Sequence, residues 1–259
     1  GFIGGYLLSA LLSKKNKKKF NIYGLDILKP KLNPKLVSTE RLFFEKRDLT
    51  KIKSYNNKKK MDLIIHLAGI PSPTYYKKYP FKTYYLNSDL TQIFLEYAKK
   101  NKSKFIYFSS SEIYGNPDSK NIPTKESYEG RVSSISDRSC YDESKRSGET
   151  FAYMYRDFYK LDAKIIRPFN FYGNGTRLND KRIIPQFFLD GVKNNKINVF
   201  SDGKQTRTYC NIIDAIPVII LICFFGKQFV YNVGNSEKEV SAFDIAKIVK
   251  NTIGSKSIK

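Results

Sequence analysis

The sequence is poor in the residues that announce a metal centre, a disulfide scaffold or a membrane span. It has one histidine, His66, and three cysteines, Cys140, Cys210 and Cys223, with no paired or metal-type spacing. That composition argues against a metal site, and an odd number of scattered thiols fits a reducing, cytoplasmic compartment. The longest apolar run, 218–225, is far short of the roughly 20 residues that a spanning helix needs, so no membrane partner is expected. Acidic residues are scarce as well: 24 Asp+Glu against 46 Lys+Arg leave a formal charge of +22. Such a balance attracts nucleic acid, anionic membranes or phosphorylated small molecules. The lysines fall in surface-like runs at 14–19 and 58–60 beside many asparagines. They read as a solvated basic surface, and no nucleic-acid partner is expected.

What is present is enough for a sizeable core: 259 residues, 41% hydrophobic and 15% aromatic. Gly1-Phe2-Ile3-Gly4-Gly5 reads as a glycine turn entering a helix whose apolar face is Leu7, Leu8, Leu11 and Leu12. Short apolar runs follow at 20–25, 42–44, 63–68, 105–108 and 163–166. Between them lie helical patterns, clearest at Leu90, Ile93, Phe94 and Tyr97. Strands alternating with helices predict an α/β fold, a parallel sheet covered on both faces. From about Arg167 the pattern loosens into turn-rich sequence, expected to form a smaller lobe over the carboxyl edge of the sheet.

Three groups carry chemistry. A glycine turn between strand and helix lets backbone amides approach a pyrophosphate, and Gly1-x-x-Gly4 fits the second half of such a loop. Asp26 ends the next strand about 20 residues later, where a carboxylate accepts ribose hydroxyls and repels a 2′-phosphate, favouring NAD over NADP. Tyr141 and Lys145 lie one helical turn apart on one face. A lysine so placed favours the phenolate, so that the tyrosine removes a hydroxyl proton as hydride leaves. With 19 tyrosines in the chain, this spacing arises by chance about two or three times. Tyr55 and Lys59, in a Lys/Asn loop, form such a decoy, whereas Tyr141 opens a helical stretch after a strand. That strand ends in Ser109-Ser110-Ser111-Glu112, hydroxyls and a carboxylate at a sheet edge; a Ser-rich turn that caps the next segment would read the same way.

Further runs extend the pattern: His66-Leu67-Ala68; Lys82-Thr83 with Asn87; Ser110 to Gly115; Arg138 to Arg146; Arg167-Pro168-Phe169-Asn170-Phe171-Tyr172-Gly173; Asn179 to Arg182; and Asp202 to Arg207. From Gly1 to Gly234 the chain resembles the extended short-chain dehydrogenase/reductases of the NAD-dependent epimerase/dehydratase family, nearest its branch that decarboxylates UDP-glucuronate. The resemblance implies a Rossmann-type doubly wound sheet over 1–167, its first strand missing, and a nucleotide-sugar lobe over 168–259, incomplete and partly returning to the sheet. It implies NAD held by Gly1, Phe2, Ile3, Gly4, Asp26, Asp48, Leu49, Leu67, Ala68, Thr83, Tyr141 and Lys145, and catalysis by Tyr141, Lys145, Ser110, Glu112 and Arg207. Lys82, Asn170, Arg182 and Arg207 are expected to bind the sugar nucleotide. The implied reaction is oxidation at C4, loss of carbon dioxide from the β-keto acid and return of hydride, giving UDP-xylose. Dehydratases of the family place Asp where Ser111 stands, and epimerases usually lack the carboxylate at Glu112. A 4-epimerase or 4,6-dehydratase stays an alternative, as does a non-catalytic NAD- or RNA-binding module. Relatives pair as homodimers through the helix bearing Tyr141 and the one near Leu90 to Tyr97. The chain opens on Gly1 rather than methionine, with no signal segment before it, and is expected to be truncated at both ends and inactive alone.

Overall fold

Apolar runs only four to six residues long bury both faces most readily inside a parallel sheet flanked by helices. The computed structural model, which describes residues 1–177, 180–254 and 257–258, has this architecture. Strands β1 (Ile22–Asp26) and β2 (Leu42–Lys46) pair in parallel. Strands β3 (Leu63–His66), β4 (Lys104–Phe108), β5 (Ala163–Pro168) and β6 (Val230–Val233) form a four-stranded parallel sheet in the order β6-β5-β4-β3. The strands thus form two ladders: among the described residues β1 and β3 do not pair. Accordingly β1 is half-buried throughout, while β4 and β5 are buried along nearly their whole length.

Alternation along the central strands divides the core. Phe105 and Tyr107 of β4 and Ala163 and Ile165 of β5 face one cluster, which also holds Leu86 of α3 (Pro80–Asn87), Leu90, Phe94 and Leu95 of α4 (Asp89–Asn101) and Ala152 and Tyr155 of α5 (Ser139–Tyr159). Ile106, Phe108 and Ile166 face the other, with Leu7 of α1 (Phe2–Leu11) and Ile212, Ile216 and Ile219 of α7 (Ile212–Phe225). The sheet is therefore doubly wound, as expected. Each fully buried leucine, Leu90 and Leu95 among them, contributes about 2 kcal/mol of apolar burial. A third cluster, Phe187, Ile197, Ile245, Ala246 and Val249, lies between α6 (Ile183–Asn194) and α8 (Ala242–Ile253). Two-residue ladders frame this part of the chain: Lys196–Ile197 with Ser257–Ile258, Thr206–Arg207 with Val240–Ser241, and Phe171–Tyr172 with Cys210–Asn211. Strand β6 and α7 also follow residue 168, yet they join the sheet and its second core. Among the described residues no helix is long and apolar enough to cross a membrane.

Candidate active site

The carboxyl end of β4 runs straight into Ser109 and Ser110. Ser110 opens a tight turn over Ser111–Tyr114, its hydroxyl accepting the Glu112 amide at 3.2 Å. Helix α5 passes this edge closely because Gly148 has no side chain: a Cβ there would lie 2.3 Å from the Tyr107 ring and 2.4 Å from the Asn87 carbonyl. One turn earlier, Lys145 donates to the Phe108 carbonyl at 2.7 Å, with its Nζ 5.8 Å from the Tyr141 ring centroid. The Ser110 hydroxyl lies close enough to the Tyr141 phenol to favour its phenolate. Ser110, Tyr141 and Lys145, read from separate parts of the sequence, thus meet at one point of the sheet edge.

Burial and neighbouring charges set the electrostatics of this group. Burial raises the Tyr141 phenol above its ordinary value; the Ser110 hydrogen bond and the nearby Arg182 guanidinium pull it back, and Asp142 opposes them. Burial also brings the Lys145 ammonium down to about 7, with Glu149 resisting. Lys145 donates to the Phe108 carbonyl, and the groups that draw the Tyr141 phenol down are Ser110 and Arg182. Tyr76 of α2 (Pro73–Lys78) stacks on Tyr141, centroids 5.2 Å apart and planes 14° from parallel. Sequence reasoning missed this partner, since Tyr76 lies 65 residues away with no spacing signal.

Glu112 stands at the same edge but is not free. Arg138 binds it and also reaches Asp142, its Nε 3.3 Å from Oδ2. Arg138 and Asp142 are two further site residues; only their place in the Arg138 to Arg146 run hinted at them. From the later part of the chain, Arg182 lies near Tyr141 and pairs with Asp180 at 2.7 Å. Asn170 donates its amide to the Thr208 carbonyl at 3.1 Å. Arg207 is exposed, donates to its neighbour's carbonyl at 2.8 Å and has no acidic partner among the described residues. Lys82 lies elsewhere, 5.5 Å from the Tyr79 ring centroid and close enough to bear on Asp48. Asn179 is outside the described residues.

The residues expected to hold a dinucleotide fall into two groups. Gly1 and Asp26 lie together, the Gly1 nitrogen 2.9 Å from Asp26 Oδ2, so the amino end of α1 and the end of β1 share a corner. Phe2 and Ile3 pack from that corner into the second core cluster, beside half-buried Leu67. A Cβ on Gly4 would lie 3.6 Å from Leu67, which with Ala68 follows β3. Asp48 caps its own turn, accepting from the Thr50 amide at 3.0 Å and hydroxyl at 2.7 Å, and Leu49 is buried in the first cluster. Thr83 is fully buried and donates to the Tyr79 carbonyl at 2.9 Å. The surroundings fit a dinucleotide. At Gly69 a Cβ would lie 3.0 Å from Asn87 Oδ1 and 3.6 Å from Lys145 Nζ. That glycine leaves a cradle between a buried acceptor without a partner among the described residues and a buried ammonium. A ribose hydroxyl, which both donates and accepts, satisfies the two together.

The sequence profile of the NAD-dependent epimerase/dehydratase family matches residues 1–234. UDP-glucuronic acid decarboxylase 1 of Arabidopsis thaliana is 36% identical over 193 residues, 74% of this chain and 44% of the relative. UDP-glucuronic acid decarboxylase 1 of Danio rerio is 32% identical over 197 residues, 76% of this chain and 46% of the relative. The chain thus spans about half the length of these relatives. Among solved structures, UDP-glucuronic acid 4-epimerase from Bacillus cereus in complex with NAD superposes with a TM-score of 0.80 at 25% identity, covering 100% of this chain and 83% of the other. An NAD-dependent NDP-hexosamine 5,6-dehydratase of tunicamycin biosynthesis shares the fold at a TM-score of 0.81 and 24% identity, with coverage of 100% and 80%.

Proposed function

The chain belongs to the NAD-dependent epimerase/dehydratase family, and on that premise we propose that it carries the active site of a UDP-glucuronate decarboxylase. The observation that carries the reading is the meeting of Ser110, Tyr141 and Lys145 at the end of β4, with Glu112 rather than an Asp-Glu pair beside them. The Gly1–Asp26 corner, with Tyr141 and Lys145 at the other end, would hold NAD, which would supply a reversible hydride acceptor for C4 of the hexuronate. Tyr141 takes the proton of the C4 hydroxyl, with Ser110 beside its phenol, and Lys145 suits a ribose hydroxyl of the dinucleotide. The resulting ketone is β to the C6 carboxylate. The C5–C6 bond then breaks, carbon dioxide leaves, the electron pair enters the enolate and C5 takes a proton. Arg207, without an acidic partner among the described residues, suits a bidentate grip on the substrate carboxylate or diphosphate. Arg182, in cross-talk with Tyr141, suits the same ligand from the later part of the chain. Residues 168–259 are proposed to supply most of the nucleotide-sugar contacts, and two copies to pair through α4 and α5.

The relatives named as UDP-glucuronic acid decarboxylases support this reading, as does Ser111 in the place where dehydratases carry Asp. A 4-epimerase begins with the same oxidation, and the Bacillus cereus neighbour keeps that reading open. The test is to incubate the whole protein that carries this sequence with UDP-glucuronate and NAD+, following carbon dioxide and the sugar product together. Carbon dioxide with UDP-xylose is expected. UDP-galacturonate without carbon dioxide would reassign it as an epimerase, and turnover of neither would leave a binding module.

A further inference from the structure

Arg167 lies in β5, a central strand, where a guanidinium is costly unless it is fully paired. It is 8% exposed, and its bonding goes beyond charge neutralisation. Nε and Nη2 donate to the two Glu149 carboxylate oxygens at 2.8 and 2.6 Å. Nη1 donates to the Tyr114 hydroxyl at 2.6 Å and to the Glu126 carbonyl at 2.8 Å. The guanidinium also stands 5.0 Å from the Tyr114 ring centroid. The Tyr114 hydroxyl donates to Asn232 Oδ1 of β6 at 2.8 Å, and the Asn232 amide donates to the Thr124 carbonyl at 2.9 Å. One side chain therefore ties α5 to the turn over 111–114, to the segment 124–126 and, through Tyr114, to β6.

These contacts converge on a turn that starts at Ser110 and ends at Tyr114. Glu149 is one helical turn beyond Lys145, so the far end of the strut is fixed to the helix that carries Tyr141 and Lys145. With Nε and Nη2 on Glu149, the third nitrogen, Nη1, is left to satisfy its donors on Tyr114 and Glu126, so the pairing that a buried guanidinium requires also fixes the Tyr114 hydroxyl. Lysine cannot make these bonds, because one ammonium cannot span a bidentate carboxylate, a phenol and a carbonyl at once. We infer that Arg167, clamped by Glu149, is a positioning residue that holds Tyr114 and thereby sets the Ser110 hydroxyl against Tyr141. The inference rests on the reading that Ser110 and Tyr141 act together on a sugar hydroxyl.

The test is a double-mutant cycle in the whole protein. Tyr114→Phe removes the hydroxyl that Arg167 grips and keeps the ring; Ser110→Ala removes the group it is argued to act through. Tyr114→Phe alone is expected to lower kcat about tenfold with KM changed less than about twofold, as misplacement of a reacting group does. In the Ser110→Ala background the same change is expected to alter kcat by less than about twofold, because the misplaced hydroxyl is already gone. Arg167→Lys is expected to behave as Tyr114→Phe does, without restoring kcat. Independently of turnover, amide hydrogen exchange at 110–115 should rise about tenfold in Tyr114→Phe while α5 stays protected. Losses that multiply across the cycle, or unchanged exchange at the turn, would overturn the inference. Should Ser110→Ala leave kcat intact, the functional reading fails instead, and the exchange measurement still decides whether the strut holds the turn.

Discussion

Lowering the pH from 7.5 to 5 should cost this fold about 2 kcal/mol through one imidazole. His66 ends β3, 4% exposed, with the Phe94, Phe105 and Tyr107 ring centroids 5.6, 6.5 and 5.9 Å from its own. Its Nε2 is 3.0 Å from the Leu86 carbonyl. A carbonyl only accepts, so Nε2 carries the proton and Nδ1 is bare in the neutral ring. A second proton has to enter among aromatic rings near the Lys145 ammonium. Burial first, and that ammonium second, bring the imidazole from 6.5 down to about 3. Because the folded value is depressed, the native state binds fewer protons than the unfolded chain between about 3 and 6.5. The stability is complete above 6.5 and drains away as the pH falls toward 3. At pH 5 the unfolded chain is ahead by about 1.5 log units of proton binding, each worth about 1.4 kcal/mol. His66 is the only histidine in the sequence, so its ring can be followed by NMR without assignment and should not titrate down to pH 5. In urea unfolding at pH 7.5 and 5, the wild type should lose about 2 kcal/mol more than His66→Gln, whose amide still reaches Leu86. A ring that titrates near 6.5, or equal losses in both proteins, would refute the reasoning.

Three further outcomes follow from the site. Lys145, held at about 7 by burial against 10.5 in the open chain, imposes the full cost of a buried ammonium below 7. That cost disappears as the pH rises to 10.5, so Lys145→Met should raise the urea midpoint more at pH 6 than at pH 10; a pH-independent difference would contradict it. Gly148→Ala forces a Cβ to within 2.3 Å of Tyr107, and the overpacking should lower stability by about 2 kcal/mol in urea unfolding. A neutral effect there would mean that α5 can move off the sheet. Arg207→Lys should leave the urea midpoint within about 0.5 kcal/mol, since the side chain is exposed. It should also reduce carbon dioxide release from UDP-glucuronate about a hundredfold, and undiminished release would remove Arg207 from the reaction.

Local patterns in the sequence were sufficient where the interaction is local. The apolar run at 105–108 announced a doubly covered strand, and Phe105 and Tyr107 do face one core while Ile106 and Phe108 face the other. Tyr141 and Lys145 are legible because one helical turn separates them, whereas Tyr55 of the decoy pair packs against the first cluster. Charge partners set by tertiary structure were not legible. Glu112 reads in sequence only as a carboxylate at the sheet edge; its partner Arg138, 26 positions later, is set by tertiary structure. Lys82 reads as a substrate ligand, and its nearness to Asp48 is a tertiary relation that no spacing reports. The role foreseen for Lys145 also depended on burial, which no spacing reports.

The same burial explains how the site is held. His66 and Lys145 are each kept near or in a neutral form by enclosure, and Lys145 bears on His66. An ammonium and an imidazole so close would repel if both were charged, so the fold tolerates them only while one stays neutral. His66 supplies that neutrality because its Nε2 proton is fixed on Leu86 and its other nitrogen is walled by rings. Lys145 is then free to keep whatever charge Glu149 supports. Glu149 is itself held by Arg167, so the charge state of the ammonium is governed from the far side of α5. It follows that removing the Glu149 carboxylate should depress Lys145 further, whereas removing the Arg167 guanidinium alone should release the carboxylate to raise it. The opposite ordering of the two variants in a pH titration of Lys145 would separate this electrostatic chain from simple packing.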